Sequence, residues 1–149
     1  MGSPAPDFVT RNTHGENVTL SELRGAPVLL VFYPFAFTGT CTGELRAVQE
    51  HLTELRALGT RVLALSTDTM FALRVFAEAE GFEFDLLTDH WPHGAIATAY
   101  GVFDEQLGCA MRGSFVLDAA GVVTWKTVNH IGEARDIAEH VAALQAHVS

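Results

Sequence analysis

The segment Val28-Leu29-Leu30-Val31-Phe32-Tyr33 is an unbroken apolar run, and it narrows the folds open to this chain more than any other stretch. A strand with apolar side chains on both sides must be covered on both faces. A second such run lies between Arg61 and Ser66, through Val62-Leu63-Ala64-Leu65. Between the two, Leu45, Val48, Leu52, Leu55 and Leu58 recur at three- and four-residue spacing, which predicts one amphipathic helix, and Gly59 is placed to end it. A strand–helix–strand unit of this length makes its two strands parallel neighbours.

The pattern then continues. Met70 to Glu80, stopped by Gly81, predicts a second helix, followed by a short strand at Phe84-Asp85-Leu86-Leu87. Ser114-Phe115-Val116-Leu117 and Val122 to Val128 flank Asp118-Ala119-Ala120-Gly121, the pattern of a β-hairpin. A last helix fits Glu133 to His147, with Ile137, Val141 and Leu144 inward. A parallel unit, an antiparallel hairpin and a closing helix together predict an α/β, thioredoxin-like fold. Its central mixed sheet is flanked by helices and preceded by an N-terminal extension. With 149 residues and no linker or repeat, residues 1–149 are expected to form a single domain.

The formal net charge of −9 argues against nucleic acid or an anionic membrane as partner, because both call for a basic face. The longest apolar stretch, Ala26 to Phe37, contains two prolines and is too short to span a bilayer. Met1 to Asp7 lacks the basic and apolar parts of a secretory signal, so a cytoplasmic protein is expected. Two cysteines, Cys41 and Cys109, make no disulfide framework, and in a reducing compartment both are expected to be free.

Extended backwards, the helical stripe of Leu45 and Val48 takes in Cys41, four and seven residues earlier. The cysteine therefore falls in the first turn, on the face turned to the sheet. Helix N-termini present unpaired N–H groups and a partial positive charge, which favour a thiolate over a thiol, and the thiolate is the nucleophile. Thr38 can cap the helix or hydrogen-bond the sulfur and an incoming oxygen. Pro34 ends the strand without needing to donate a hydrogen bond, and it shields the sulfur from one side. On these grounds alone two readings stand, a reactive thiolate and an inert core cysteine.

The segment Pro34…Thr38…Cys41 resembles the Pro-x-x-x-Thr-x-x-Cys motif of the peroxiredoxins, with Tyr33 before it and Glu44 three residues after the cysteine. Arg112-Gly113-Ser114-Phe115-Val116-Leu117-Asp118 is similar to the family's second signature, an arginine opening a strand. Trp91-Pro92-His93-Gly94-Ala95 through Ala99-Tyr100-Gly101-Val102-Phe103 resembles the alkyl hydroperoxide reductase E subgroup. The likeness covers nearly the whole chain. It implies a thiol-dependent peroxidase, without cofactor, whose Cys41 attacks hydrogen peroxide or an alkyl hydroperoxide and becomes a sulfenic acid. Arg112, Thr38 and the backbone N–H of Cys41 are the implied donors to the developing negative charge. Glu44 is implied to orient an arginine, an alternative to a plain first-turn carboxylate favoured by the helix dipole. The family also implies a homodimer or larger homo-oligomer, with the Trp91 loop near the contact and the active-site entrance.

The sulfenic acid must be reduced. The position five residues after Cys41, where one peroxiredoxin branch has its second thiol, is Arg46, so Cys109 is the only resolving candidate in the chain. If residues 108–117 form one strand, the odd separation of Cys109 and Arg112 turns them to opposite faces, leaving Cys109 directed away from Cys41. The expected cycle uses one cysteine and an external thiol: thioredoxin, a glutaredoxin-like protein or a low-molecular-weight thiol. A two-cysteine cycle through Cys109 and a non-enzymatic redox sensor are the alternatives. A thioredoxin-type disulfide exchanger needs Cys-x-x-Cys, whereas the helix reads Cys41-Thr42-Gly43-Glu44. His90 and His93 make a His-x-x-His pair with no supporting ligand in sequence, so no metal is expected. Phe35, Phe37, Trp91 and Phe103 are candidates to line an apolar approach.

Overall fold

Apolar side chains distributed over both faces of the predicted strands assemble one five-stranded sheet in the computed structural model, which describes residues 2–148. A hairpin of β1 (Val9–Arg11) and β2 (Asn17–Thr19) comes first, followed by a 3-10 turn at Leu20–Leu23. Then come β3 (Val28–Phe32), α1 (Gly39–Glu50), α2 (Leu52–Ala57), β4 (Arg61–Ser66), α3 (Met70–Glu80) and β5 (Asp85–Thr88). The rest of the chain forms α4 (Ala95–Ala99), β6 (Phe103–Asp104), β7 (Cys109–Ala110), β8 (Arg112–Leu117), β9 (Val123–Asn129) and α5 (Ile137–Val148).

The sheet runs β5-β4-β3-β8-β9; β3, β4 and β5 are parallel, while β8 runs antiparallel to both β3 and β9. Every residue of β3 is buried, as a central strand covered on both sides requires. Period-two alternation sorts the side chains. Leu29, Val31, Val62, Ala64 and Val116 face α1, α2, α3 and α5 in one core that includes Cys41, Leu45 and Val48. Val28, Leu30, Phe32, Leu63, Leu65, Phe115 and Leu117 face the opposite core with Phe8, Val18, Ile96 and Ala97.

Three boundaries depart from the sequence expectation. The helix expected to run unbroken through Leu58 is interrupted at His51 (φ −94°, ψ 3°), although the apolar stripe continues across the break through Leu52 and Leu55. The last helix begins at Ile137 rather than Glu133, because the backbone N–H of Arg135 is drawn out to the Glu44 carboxylate at 2.7 Å. Asp136 then caps the helix by accepting from the Ala138 N–H at 3.0 Å. Finally, residues 108–117 are not one strand: β7 pairs only with β6, and the chain kinks at Met111, whose carbonyl accepts from the Gly113 N–H at 3.0 Å.

Candidate active site

Cys41 is the third residue of α1 and is fully buried, its side chain in the core against the sheet. Spacing along α1 puts Glu44, Leu45 and Val48 on the same face, and all are buried. The loop before the helix is held from β4's end, where the Asp68 carboxylate accepts from the Ala36 N–H at 2.8 Å. Phe37 takes a left-handed conformation (φ 67°) in that loop, uncommon for a bulky residue, and its ring packs on Phe76 with centroids 5.0 Å apart.

Arg112 opens β8, so its side chain shares a face with Ser114 and Val116 and reaches towards α1. Its Nη1 donates to Cys41 Sγ at 3.3 Å and to Glu44 Oε1 at 2.5 Å, while Nε donates to the Ile131 carbonyl at 2.6 Å. The residue is buried, so this cation is fixed in place rather than waving in solvent. Glu44 is buried as well and also receives Arg135: the backbone N–H and Nε on Oε2 at 2.7 and 2.9 Å, and Nη2 on Oε1 at 3.0 Å. Burial pushes the Glu44 carboxyl up, but the bonds and charge of Arg135, with the charge of Arg112, overcome it and hold the group below its ordinary value. Arg135 in turn donates through Nη1 to the Gly113 carbonyl at 2.8 Å and to Ser114 Oγ at 3.1 Å.

Cys41, Glu44 and Arg112 thus meet in one place, and Arg135, which the sequence did not single out, joins them. Nothing in Gly132-Glu133-Ala134-Arg135 distinguishes it from a surface arginine. Pro34 is buried two residues beyond β3, in the loop that carries Thr38. Thr38 stands at the helix N-terminus but makes no side-chain cap; its hydroxyl donates instead to the Phe35 carbonyl at 2.8 Å. Its own carbonyl receives the Thr42 N–H at 2.9 Å and hydroxyl at 2.7 Å, so the first turn closes without it.

Cys109 is a buried free thiol, and the kink at Met111 removes the face argument made for it from strand alternation. Burial, with the Asp104 carboxylate and Cys41 nearby, pushes this thiol up to about 11, which keeps it protonated and a poor nucleophile at neutral pH. His90 and His93 pack edge to face with centroids 6.1 Å apart, while Nδ1 of His90 meets the Thr67 carbonyl at 3.3 Å and Nε2 of His93 meets the Gly108 carbonyl at 2.6 Å. Of the four aromatic candidates, Phe35 and Phe37 flank the cysteine loop and are exposed. Trp91 is 84% exposed on a separate loop, and Phe103 packs against His93 away from the sulfur.

A buried sulfur at a helix start, held by a fixed guanidinium on a thioredoxin-like sheet, defines a thiol-based oxidoreductase. Residues 1–126 match the AhpC/TSA family model, and the chain belongs to this family, the peroxiredoxins, which makes it a thiol-dependent peroxidase. Alkyl hydroperoxide reductase E of Mycobacterium tuberculosis is 46% identical over 137 residues, covering 91% of this chain and 90% of that protein. Peroxiredoxin-2 of Rattus norvegicus is 36% identical over 154 residues, covering 98% of this chain and 78% of that protein. Among solved structures, AhpC of Enterococcus faecalis superposes with a TM-score of 0.92 at 29% identity, over 98% of this chain and 90% of that one.

Proposed function

We propose that the chain reduces hydrogen peroxide and organic hydroperoxides through Cys41 and is recycled by an external thiol. The observation that carries this reading is the Arg112 guanidinium, 3.3 Å from Cys41 Sγ and anchored by the Glu44 carboxylate and the Ile131 carbonyl. The thiolate attacks the distal oxygen of the hydroperoxide; the S–O bond forms as the O–O bond breaks. The departing oxygen leaves with the bond's electron pair, takes a proton and becomes water or an alcohol, while sulfur keeps the hydroxyl as a sulfenic acid. Arg112 and the N-terminal N–H groups of α1 are preorganised donors for the charge that moves onto that oxygen. Thr38, whose hydrogen is given to the Phe35 carbonyl, keeps oxygen lone pairs to accept the hydroperoxide O–H. Pro34 shields the sulfur, and Glu44 holds Arg112 in register.

Two external thiols complete the cycle: one displaces hydroxide from sulfur as water and forms a mixed disulfide, and the second releases Cys41. Cys109, buried and held as the thiol, supports a one-cysteine cycle. Among the described residues no helix is long and apolar enough to cross a membrane. A cytoplasmic homodimer of single-domain subunits fits the family, with the exposed Trp91, Phe71 and Val9 as contact candidates.

Mass spectrometry after one equivalent of hydrogen peroxide tests the reading. A single oxygen on Cys41, turnover with a dithiol, loss of both in Cys41→Ser and retention of both in Cys109→Ser are expected. An unmodified Cys41 refutes it, and a Cys41–Cys109 disulfide replaces the one-cysteine cycle by an internal one.

A further inference from the structure

The side chains that hold the arginines do not end at Arg135. Ser114 Oγ, which accepts from Arg135 Nη1 at 3.1 Å, also lies 2.7 Å from Nε2 of His140, and both residues are fully buried. His140 comes from the first turns of α5, and its Nδ1 lies 2.9 Å from the Asp136 carbonyl. A carbonyl can only accept, so Nδ1 carries a hydrogen. The charged groups facing this ring are Arg135, Glu44 and Asp136; Trp125 of β9 meets it edge-on with centroids 5.1 Å apart. Burial, helped by the Arg135 charge, pulls His140 down to about 4, so at neutral pH the ring is uncharged and Nε2 is bare.

These facts set the direction of every bond. Nε2 accepts the Ser114 hydroxyl hydrogen, which turns a lone pair of Ser114 Oγ towards Arg135. The guanidinium is then gripped from both sides, by Ser114 and the Gly113 carbonyl on β8 and by Glu44 on α1. Glu44 passes that placement to Arg112, and Arg112 to the sulfur. A ring with hydrogen on Nε2 would donate to Ser114 Oγ beside Arg135 and leave the buried hydroxyl hydrogen without its acceptor.

We propose that His140, as the neutral Nδ1–H tautomer, is a positioning residue for the peroxide site, acting on Cys41 through Ser114, Arg135, Glu44 and Arg112. The inference rests on Cys41 being the peroxide-reactive sulfur.

The test uses Cys109→Ser as parent, so that a fluorescent alkylating agent reports Cys41 alone. Two quantities are read: the pH midpoint of alkylation and the rate constant of oxidation by hydrogen peroxide. Loosening Arg112 weakens its hold on the sulfur anion. His140→Leu and Ser114→Ala should therefore raise the midpoint by about half a unit and slow oxidation on the order of tenfold. His140→Gln, whose amide oxygen can accept from Ser114 in place of Nε2, should stay within about twofold of the parent. The double variant His140→Leu/Ser114→Ala should match the slower single one, since both cut one chain. Nitrogen NMR of the His140 ring should show a bare Nε2.

Parent-like values for His140→Leu or Ser114→Ala, a His140→Gln as slow as His140→Leu, or a hydrogen on Nε2 overturn the proposal. Should His140→Leu fail to fold, Ser114→Ala and the ring tautomer decide by the same criteria. A parent that alkylates normally but ignores peroxide removes the peroxidase reading, while the alkylation midpoints still decide this one.

Discussion

Replacing Glu44 by Gln isolates the one group that joins both arginines to the cysteine helix. Each carboxylate oxygen receives two donors: Arg112 Nη1 and Arg135 Nη2 on Oε1, the Arg135 N–H and Nε on Oε2. An amide has one acceptor oxygen, so either orientation of the substituted side chain sets its NH2 against two donors and forfeits two bonds. Charge-assisted bonds contribute about 1.5–3 kcal/mol each, and breaking a buried pair costs about 3–5 kcal/mol, so a loss of about 4 kcal/mol is expected. For a chain of this size that lowers the melting temperature on the order of 10 °C. The guanidinium beside the sulfur is displaced rather than deleted, so peroxide oxidation of Cys41 should slow on the order of 100-fold. Denaturant unfolding and stopped-flow fluorescence measure the two effects. A Glu44→Gln protein within about 1 kcal/mol of the parent and within a few-fold of its rate would show that the carboxylate does not join the arginines to the cysteine helix.

The depressed His140 makes an acid-side prediction. The unfolded chain binds a proton at this ring below its ordinary value of 6.5, whereas the folded chain does so only near 4. Stability is therefore full above pH 6.5 and falls as pH drops towards 4, by up to about 3 kcal/mol. Unfolding midpoints between pH 7.5 and 4.5 should show that slope, and His140→Gln should flatten it; an unchanged slope refutes the assignment. The Glu44 contribution, from a lowered carboxyl, is lost only further down, as pH falls through its folded value. Gly94 gives a structural control: its φ of 70° is left-handed, and a Cβ there would lie 2.2 Å from Phe103 Cε1. Gly94→Ala should cost about 2 kcal/mol by thermal melting, and a neutral result would mean that the Phe103 ring yields freely.

Much of this was legible because it is periodic. The stripe through Cys41, Leu45 and Val48 put the sulfur on the inner face of α1, and the continuous apolar run at β3 demanded the two covering layers. Arg112 was visible only because residues 112–118 resemble the family's second signature. What periodicity does not encode was missed. The break at His51 is invisible because the apolar stripe runs on through it. Alternation could not give Cys109 a face, because it holds only while a strand is continuous and this segment kinks at Met111. Arg135 meets Glu44 across 91 residues from an irregular segment, and no local pattern reports such a pairing. His140 occupies an inward helical position that a leucine would fill as naturally; only its two nitrogen partners set it apart.

The Arg112–Glu44–Arg135 cluster has a further consequence when its charges are summed. Two cations and one anion, all buried, leave a surplus of one positive charge inside a chain whose overall charge is −9. In the proposed cycle the anionic sulfur that attacks peroxide restores neutrality, which closes the centre electrically before the reaction. Conversion to a neutral sulfenic acid reopens that surplus at the moment when a reductant must arrive. The oxidised protein thus offers an incoming thiolate the counter-charge that the reduced protein withholds, and the polarity of the buried pocket marks which half of the cycle comes next.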